Sequence, residues 1–291
     1  MYSLADWLKS WSLAPLPHHL LSGIVRVITR SRIIWLKNIM IRAFVSHFHV
    51  DMSEAVEARP AGYPDFNSFF TRPLKPGLRP QPGNKSAIAS PVDGAISQIG
   101  EIEADTLLQA KGRRFSLIDL LGGDAGRAAA FQGGIFSTLY LSPKDYHRIH
   151  MPCSGKLTET VFIPGRLYSV APHTTRAIPN LFTRNERQVN LFATANGPVA
   201  VIMVGAIFVS SMETVWEGVI EPGTATVRSR SYGTAGEPEK HLQRGDEMGR
   251  FNMGSTIILL FSRGQAEWLP ELDAEQPVRV GQELGYFRQQ I

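Results

Sequence analysis

The proline-rich stretch at residues 73–83 divides the chain into two differently patterned parts, and that division most limits how it can fold. Pro73, Pro76, Pro80 and Pro82, with two glycines among them, exclude a helix or a central strand, so the stretch reads as an extended connector. Upstream, residues 22–58 carry helical spacing, and Asp51, Met52, Ser53 and Glu54 predict a helix start ahead of residues 55–58. Pro60, Gly62 and Pro64 then end helical character. Downstream the pattern turns to strands. Residues 135–141 alternate, 157–163 are β-rich, 199–209 are apolar except at Gly205, and 224–231 alternate, with one short helix predicted at 116–121. The segments between these strands are too short for repeated crossover helices. The expected fold class is therefore α+β: amphipathic N-terminal helices over residues 1–60, then a β-rich, mainly antiparallel catalytic domain over residues 61–291.

Two internal echoes run through the second part. Gly245, Glu247, Met248, Gly249 and Phe251 recur in spacing as Gly281, Glu283, Leu284, Gly285 and Phe287, and Pro91, Gly94 and Ile96 recur as Pro152, Gly155 and Leu157. Both look like the turns of biotinyl or lipoyl-type hairpin modules and suggest a duplicated β half, although glycine-rich hairpin turns also converge without duplication. Neither echo has a lysine at its tip to which biotin or lipoate could be attached.

Charge is unevenly placed. Residues 1–50 hold Lys9, Arg26, Arg30, Arg32, Lys37 and Arg42 against Asp6 alone, while the whole chain carries a formal charge of +4, so the basic character belongs to the N-terminal region. That region is also rich in large apolar residues, but Arg or Lys interrupts it every few positions from Arg26 onward, which excludes a membrane span of roughly 20 apolar residues. Pro15, Pro17, His18 and His19, with no small-residue cleavage pattern after them, argue against a cleavable signal peptide. What remains is a basic amphipathic region suited to a membrane interface, with Trp7, Trp11 and Trp35 at headgroup depth, or alternatively to covering the core or a dimer contact. No basic run is interleaved with stacking aromatics, so nucleic acid is not expected as a partner. Cys153 is the single cysteine; it excludes an internal disulfide and fits a small buried thiol in a reducing compartment.

The chemistry centres on Met253, Gly254, Ser255 and Thr256, which run directly into the apolar residues 257–261. A serine hydroxyl held over the preceding carbonyl can attack it, convert the amide to an ester, and eliminate to leave a carbonyl group on a new chain terminus. Gly254, lacking a Cβ, permits the close approach this needs. Gly-Ser-Thr alone is ordinary turn chemistry. Upstream, however, Ser90-Pro91-Val92-Asp93-Gly94 and Tyr146-His147-Arg148-Ile149-His150-Met151-Pro152 supply a carboxylate and two imidazoles on the same chain. No metal set is expected, since His147 and His150 lack helical four-residue spacing with a third ligand.

At these residues the sequence resembles phosphatidylserine decarboxylase, the pyruvoyl-dependent family of phospholipid synthesis, in its proteobacterial form. The resemblance extends over nearly the whole chain, through Phe66-Asn67-Ser68-Phe69-Phe70-Thr71-Arg72, Pro179-Asn180-Leu181-Phe182, Arg184-Asn185-Glu186-Arg187, Glu213-Thr214-Val215-Trp216 and Gly249-Arg250-Phe251. It departs at Met253, where the family usually has leucine, an apolar swap of similar volume.

The resemblance implies self-cleavage between Gly254 and Ser255 into a β chain of residues 1–254 and an α chain of residues 255–291. Asp93 orients and charges His150, and His150 withdraws the Ser255 proton, with Thr256 or backbone amides stabilising the oxyanion. The product is a covalent pyruvoyl (pyruvate) cofactor derived from Ser255, which forms a Schiff base with phosphatidylserine and accepts the electron pair left when CO2 departs, giving phosphatidylethanolamine. His147 is the expected proton donor to the α-carbon. Arg148, Arg184 and Arg187 are candidates for the lipid phosphate. A homodimer of the αβ heterodimer, peripheral on the cytoplasmic face of the cell membrane and acting on phosphatidylserine in anionic membrane, completes what the resemblance implies. Read without it, Ser255, His150 and Asp93 also fit a serine hydrolase that stays in one piece, and an inert Ser255 fits a peripheral lipid-binding protein.

Overall fold

In the computed structural model, residues 4–11, 16–110, 112–207, 211–220, 226–233, 238–252 and 255–288 are described. Three helices come first: α1 (Leu4–Trp11), α2 (His18–Thr29) and α3 (Ile34–Phe48). α3 ends where His49 turns left-handed, with φ 54°. Its inner face meets the short helix Phe66–Phe70 in an aromatic cluster of Phe44, Phe66, Phe69 and Phe70 with Ile41 and Tyr63. Asp65 caps that short helix by accepting the Ser68 N–H at 2.8 Å.

The helix expected at residues 55–58 is not formed. Asp51 accepts the Ser53 N–H at 2.9 Å in a local turn, and the stretch beyond it pairs with the proline-rich connector, Val56 N–H on the Pro73 carbonyl at 3.0 Å and Lys75 N–H on Glu54 at 2.9 Å. With Pro60 only a few residues ahead there is no length for a helix, and the connector offers carbonyls that an extended chain can use.

The core is one large antiparallel sheet, as the strand pattern predicts. Its order is Arg228–Ser231, Gly155–Ile163, Arg187–Thr194, Gly197–Val204, Ser255–Phe261, Ile135–Leu141, Gly94–Glu101 and Pro277–Val278, with His241–Leu242 pairing beside the first on Gly155–Ile163. Alternate residues feed two cores. Ile257, Leu259 and Phe261 point into one, Ile258 and Leu260 into the other, so this central strand is buried on both faces. The helix predicted at 116–121 is present as Leu117–Leu120, capped by Ser116. The predicted strands at 199–209 and 224–231 run in part outside the described residues; within them they span Gly197–Val204 and Arg228–Ser231.

The two echoes adopt matching hydrogen-bond patterns, on strands placed at like distances on either side of the pair Gly197–Val204 and Ser255–Phe261. Ser90 donates to Gln282 and accepts from Gly281, as Met151 donates to Asp246 and accepts from Gly245. Phe287 N–H reaches Ser86 at 2.8 Å, as Phe251 N–H reaches His147 at 3.0 Å. The Asp93 carboxylate accepts the Val280 N–H at 2.8 Å, where the Ser154 hydroxyl accepts the Arg244 N–H at 2.9 Å. Gly245 and Gly281 both sit at positive φ (88° and 83°), and a Cβ on either would strike the connector at Gln81 or Pro80. The two surroundings differ in how their inner strands are joined. Thr194 joins Gly197 through a two-residue turn, whereas the equivalent pair, Leu141 and Ser255, lies on strands joined only through a long excursion.

Candidate active site

The residues singled out by sequence converge at one end of the sheet. Asp93 immediately precedes strand Gly94–Glu101, Ser142 follows strand Ile135–Leu141, and Ser255 opens strand Ser255–Phe261 with its backbone paired to Leu141. Gly94 has to be glycine here, because a Cβ would lie 2.2 Å from the Tyr140 carbonyl oxygen. Met253 and Gly254 lie outside the described residues, as does the side chain of Ser255. Beside this sheet end opens a cavity of about 900 Å³ whose wall includes Arg72, Asp93, Tyr140, Ser142 and Tyr146.

His150 is held by two partners. Its Nδ1 lies 2.8 Å from the Gly245 carbonyl, which can only accept, so Nδ1 carries the hydrogen. Nε2 is then the basic nitrogen, and it accepts the Tyr146 hydroxyl at 3.1 Å, the two rings stacking at 5.7 Å between centroids. Burial lowers the His150 pKa, opposed in part by the bond to the Gly245 carbonyl and then by the Glu247 and Asp93 charges. Burial also pushes the Tyr146 hydroxyl up to about 12, so it remains a donor.

Asp93 does not touch His150. Its carboxylate takes Arg79 Nε at 2.9 and 3.1 Å, Arg79 Nη2 at 2.5 Å and the Val280 N–H at 2.8 Å. The far side of Arg79 is gripped by Glu54 at 2.6 Å, and Glu54 also holds Arg279 at 3.2 Å. The direct orientation of His150 by Asp93 expected from the resemblance is therefore replaced by the Gly245 carbonyl. Arg79 forms the stronger bond because its planar fork matches a carboxylate at two points. It is a residue the sequence reading missed; it lies in the proline-rich connector, where only an arginine in a glycine- and proline-rich run marked it.

His147 has no exposed surface and stacks on Phe70 at 4.0 Å. Its Nε2 lies 3.1 Å from the Ser142 carbonyl, so Nε2 carries the hydrogen and the Nδ1 lone pair, which has no partner, is open. Burial, reinforced by the nearby Arg72 charge, pushes its pKa down to about 3. His147 is thus a neutral acceptor in this state, able to donate only after taking a proton.

The arginines proposed from sequence for phosphate are committed elsewhere. Arg187 is 2 % exposed and donates to the carbonyls of Asp119, Leu120, Thr183 and Asn185. Arg148 pairs with Glu247 at 2.8 Å and with the Thr71 carbonyl, and Arg184 bonds the Tyr168 hydroxyl. A backbone carbonyl satisfies a guanidinium as well as an anion does inside a core, and the sequence does not distinguish the two uses. Cys153 is buried as expected, its thiol pushed up to about 12. Among the described residues no group of His, Cys, Asp or Glu could hold a metal.

Among the buried side-chain atoms near this sheet end that have no hydrogen-bond partner are Ser142 Oγ, His147 Nδ1 and Thr256 Oγ1. Unmatched donors and acceptors of this kind suit a polar group built into the chain beside them, as a carbonyl at position 255 would be.

Comparison with known proteins gives the same reading. The family model described as phosphatidylserine decarboxylase matches residues 66–286, and one described as PSD matches residues 8–49. A phosphatidylserine decarboxylase proenzyme of Nitrosococcus oceani is 52% identical over 286 residues, 98% of this chain and 92% of the relative. One from Bordetella avium is 52% identical over 278 residues, covering 96% and 93%, and one from Stutzerimonas stutzeri is 50% identical over 270 residues, covering 93% and 91%. Matched in sequence over most of its length, the chain belongs to the phosphatidylserine decarboxylase family.

Proposed function

We propose that the chain is a proenzyme that cuts itself between Gly254 and Ser255 and then decarboxylates phosphatidylserine to phosphatidylethanolamine. The observation that carries this reading is the backbone of Ser255, opening a central strand at the sheet end where Asp93, Ser142 and the segment from Tyr146 to His150 converge. In the first stage His150 Nε2 takes the hydroxyl proton of Ser255, and the oxygen adds to the Gly254 carbonyl carbon. The C–N bond breaks and the nitrogen receives the proton, giving an ester. Elimination across Cα–Cβ of residue 255 then releases the carboxylate of Gly254, and water replaces the resulting enamine nitrogen, which leaves as ammonia. Asp93, fixed by Arg79 and Val280, places a negative charge near His150 and favours its protonated form through space.

The pyruvoyl group so formed at position 255 supplies an electron sink for the pair released with CO2. The residues suited to hold it are Ser142, whose hydroxyl has no other partner and follows the residue paired with 255, and Thr256. His147, stacked on Phe70 with its Nδ1 open, is suited to take a proton and return it to the substrate's α-carbon.

The reading includes a domain division at about residue 60 and seating on a lipid surface. Helices α2 and α3 expose Leu20, Ile24, Val27, Ile34, Trp35 and Ile39, and no helix among the described residues is long and apolar enough to cross a membrane. Such a face lies flat in an interface with the basic residues towards anionic headgroups, on the cytoplasmic side. The test is Ser255→Ala. It should yield a single uncut chain that releases no CO2 from phosphatidylserine. Normal turnover by that variant removes the mechanism, and an uncut but active parent favours a hydrolase-like use of Ser255.

A further inference from the structure

Five cations line the 900 Å³ cavity besides His49: Arg72, Arg79, Lys144, Arg176 and Arg279. Three of them are held by carboxylates, Arg79 by Asp93 and Glu54, Arg279 by Glu54, and Arg176 by Asp6. Arg72 is not. It is 3 % exposed and lies over the Phe69 ring at 5.5 Å, and only its Nη2 has hydrogen-bond partners, the carbonyls of Lys144 at 2.9 Å and Asp145 at 3.5 Å. Its Nε and Nη1 are buried with no partner. The acid beside it, Asp145, is engaged by the Ser142 N–H at 2.7 Å, and burial raises its pKa. Lys144 is exposed, and among the described residues its ammonium forms no ion pair.

A guanidinium stays charged even where burial lowers its proton affinity, as it does here. Leaving two of its donors unmatched in a low-dielectric wall is costly unless an anion completes them. The two unpaired cations are also neighbours, since Arg72 grips the backbone carbonyl of Lys144 itself. Arg72 donates to the carbonyls of Lys144 and Asp145, and His147 to that of Ser142, so the guanidinium and His147 are bound to the same short turn.

We propose that Arg72 and Lys144 form an anion subsite for the phosphodiester of the lipid headgroup, Arg72 from within the wall and Lys144 at the mouth. The proposal rests on the function given above and names how the substrate is held. A phosphodiester fits better than the substrate's carboxylate for a chemical reason. The phosphodiester keeps its charge throughout the reaction, whereas a guanidinium on the carboxylate would stabilise the ground state and oppose loss of CO2. The fixed planar fork of Arg72 also matches two phosphate oxygens at once.

The test uses the full-length processed protein with water-soluble dihexanoyl phosphatidylserine as substrate, glycerophosphoethanolamine as inhibitor, and ethanolamine as the control lacking phosphate. Lys144→Ala should raise KM and the inhibition constant of glycerophosphoethanolamine about tenfold, the loss of one charge-assisted contact, with self-cleavage and kcat retained. Lys144→Glu should raise both further. Arg72→Lys, which keeps the charge but loses the fork, should raise both at least as much as Lys144→Ala does, and inhibition by ethanolamine should be the same in every variant. Unchanged KM and inhibition constant in Lys144→Glu overturn the proposal. So does a loss confined to kcat in Arg72→Lys, which would assign Arg72 to the reacting carboxylate. If Arg72→Lys fails to process, the Lys144 variants decide alone. Calorimetric titration of glycerophosphoethanolamine into the uncut Ser255→Ala chain separates this proposal from the wider reading. Binding that Lys144→Glu weakens supports the subsite even if the parent protein releases no CO2, and binding that Lys144→Glu leaves unchanged overturns it.

Discussion

Both oxygens of Asp93 are occupied by Arg79 and the Val280 N–H, so whatever Asp93 contributes to His150 crosses space rather than a hydrogen bond. Arg79 is in this sense a positioning residue. Arg79→Gln should slow self-cleavage about tenfold or more, the loss expected when a buried carboxylate loses a bidentate partner. Arg79→Lys should restore part of the rate, and adding Asp93→Asn to Arg79→Gln should slow it no further than Asp93→Asn alone, as followed by gel densitometry of freshly translated chain. Additive effects would mean that the two residues act separately. Buried His147 and half-buried His150 make a prediction about pH. Both have folded pKa values below the unfolded value of 6.5, His147 down to about 3, so below pH 6.5 the unfolded chain binds protons that the folded one refuses. The contribution of His147 is therefore full above that pH and is lost as pH drops from 6.5 towards 3, by roughly 1 kcal/mol per pH unit, and His150 adds a loss of the same sign below 6.5. Urea midpoints measured at pH 7, 6 and 5 should decline, and the decline should be shallower in His147→Gln. A flat series would show that His147 is protonated in the fold.

Among the elements, strand Ser255–Phe261 was legible as a continuous apolar run entering from Gly-Ser-Thr, and the structure shows it buried on both faces. The antiparallel arrangement and the echoed turns were legible for the same kind of reason: glycines at positive φ and strict two-residue alternation leave local signatures. Asp93, His147 and His150 were found through motif and resemblance, and they gather at one end of the sheet. What could not be read was set by distant partners. Residues 55–58 look helical alone but are claimed by the connector, and Arg79, Tyr146 and Ser142 carry no local mark of the atoms they meet. Arg187 shows the converse, a motif residue that four backbone carbonyls bind inside the core. Gly94 provides a test at this scale. Gly94→Ala puts a Cβ 2.2 Å from a backbone oxygen that cannot move without breaking the sheet, and it should destabilise the fold by about 3 kcal/mol in equilibrium unfolding. A change below about 0.5 kcal/mol would mean the strand pair relaxes freely at this end.

At the scale of the molecule, the N-terminal helices and the catalytic sheet are joined through aromatic rings. Phe44 of α3 meets Phe70, and Phe70 stacks on His147, so the layer proposed to lie on lipid is packed directly against a proposed catalytic group. The exposed face of α2 and α3 gives the matching prediction. Ile34→Ser with Trp35→Ser removes two side chains that are 70% and 66% exposed, and should weaken binding to phosphatidylglycerol-containing vesicles about tenfold or more while leaving self-cleavage intact. Unaltered vesicle binding would return that face to a packing or dimer role. The proposed small product chain carries the central strand of the sheet, so cutting at its start leaves it clamped between strands Gly197–Val204 and Ile135–Leu141. The most direct measurement of the account is intact-protein mass spectrometry of the purified, active material under denaturing conditions. It should give two chains, residues 1–254 and residues 255–291, the second beginning with a pyruvoyl group in place of serine. A single active chain with an unmodified Ser255 would contradict it.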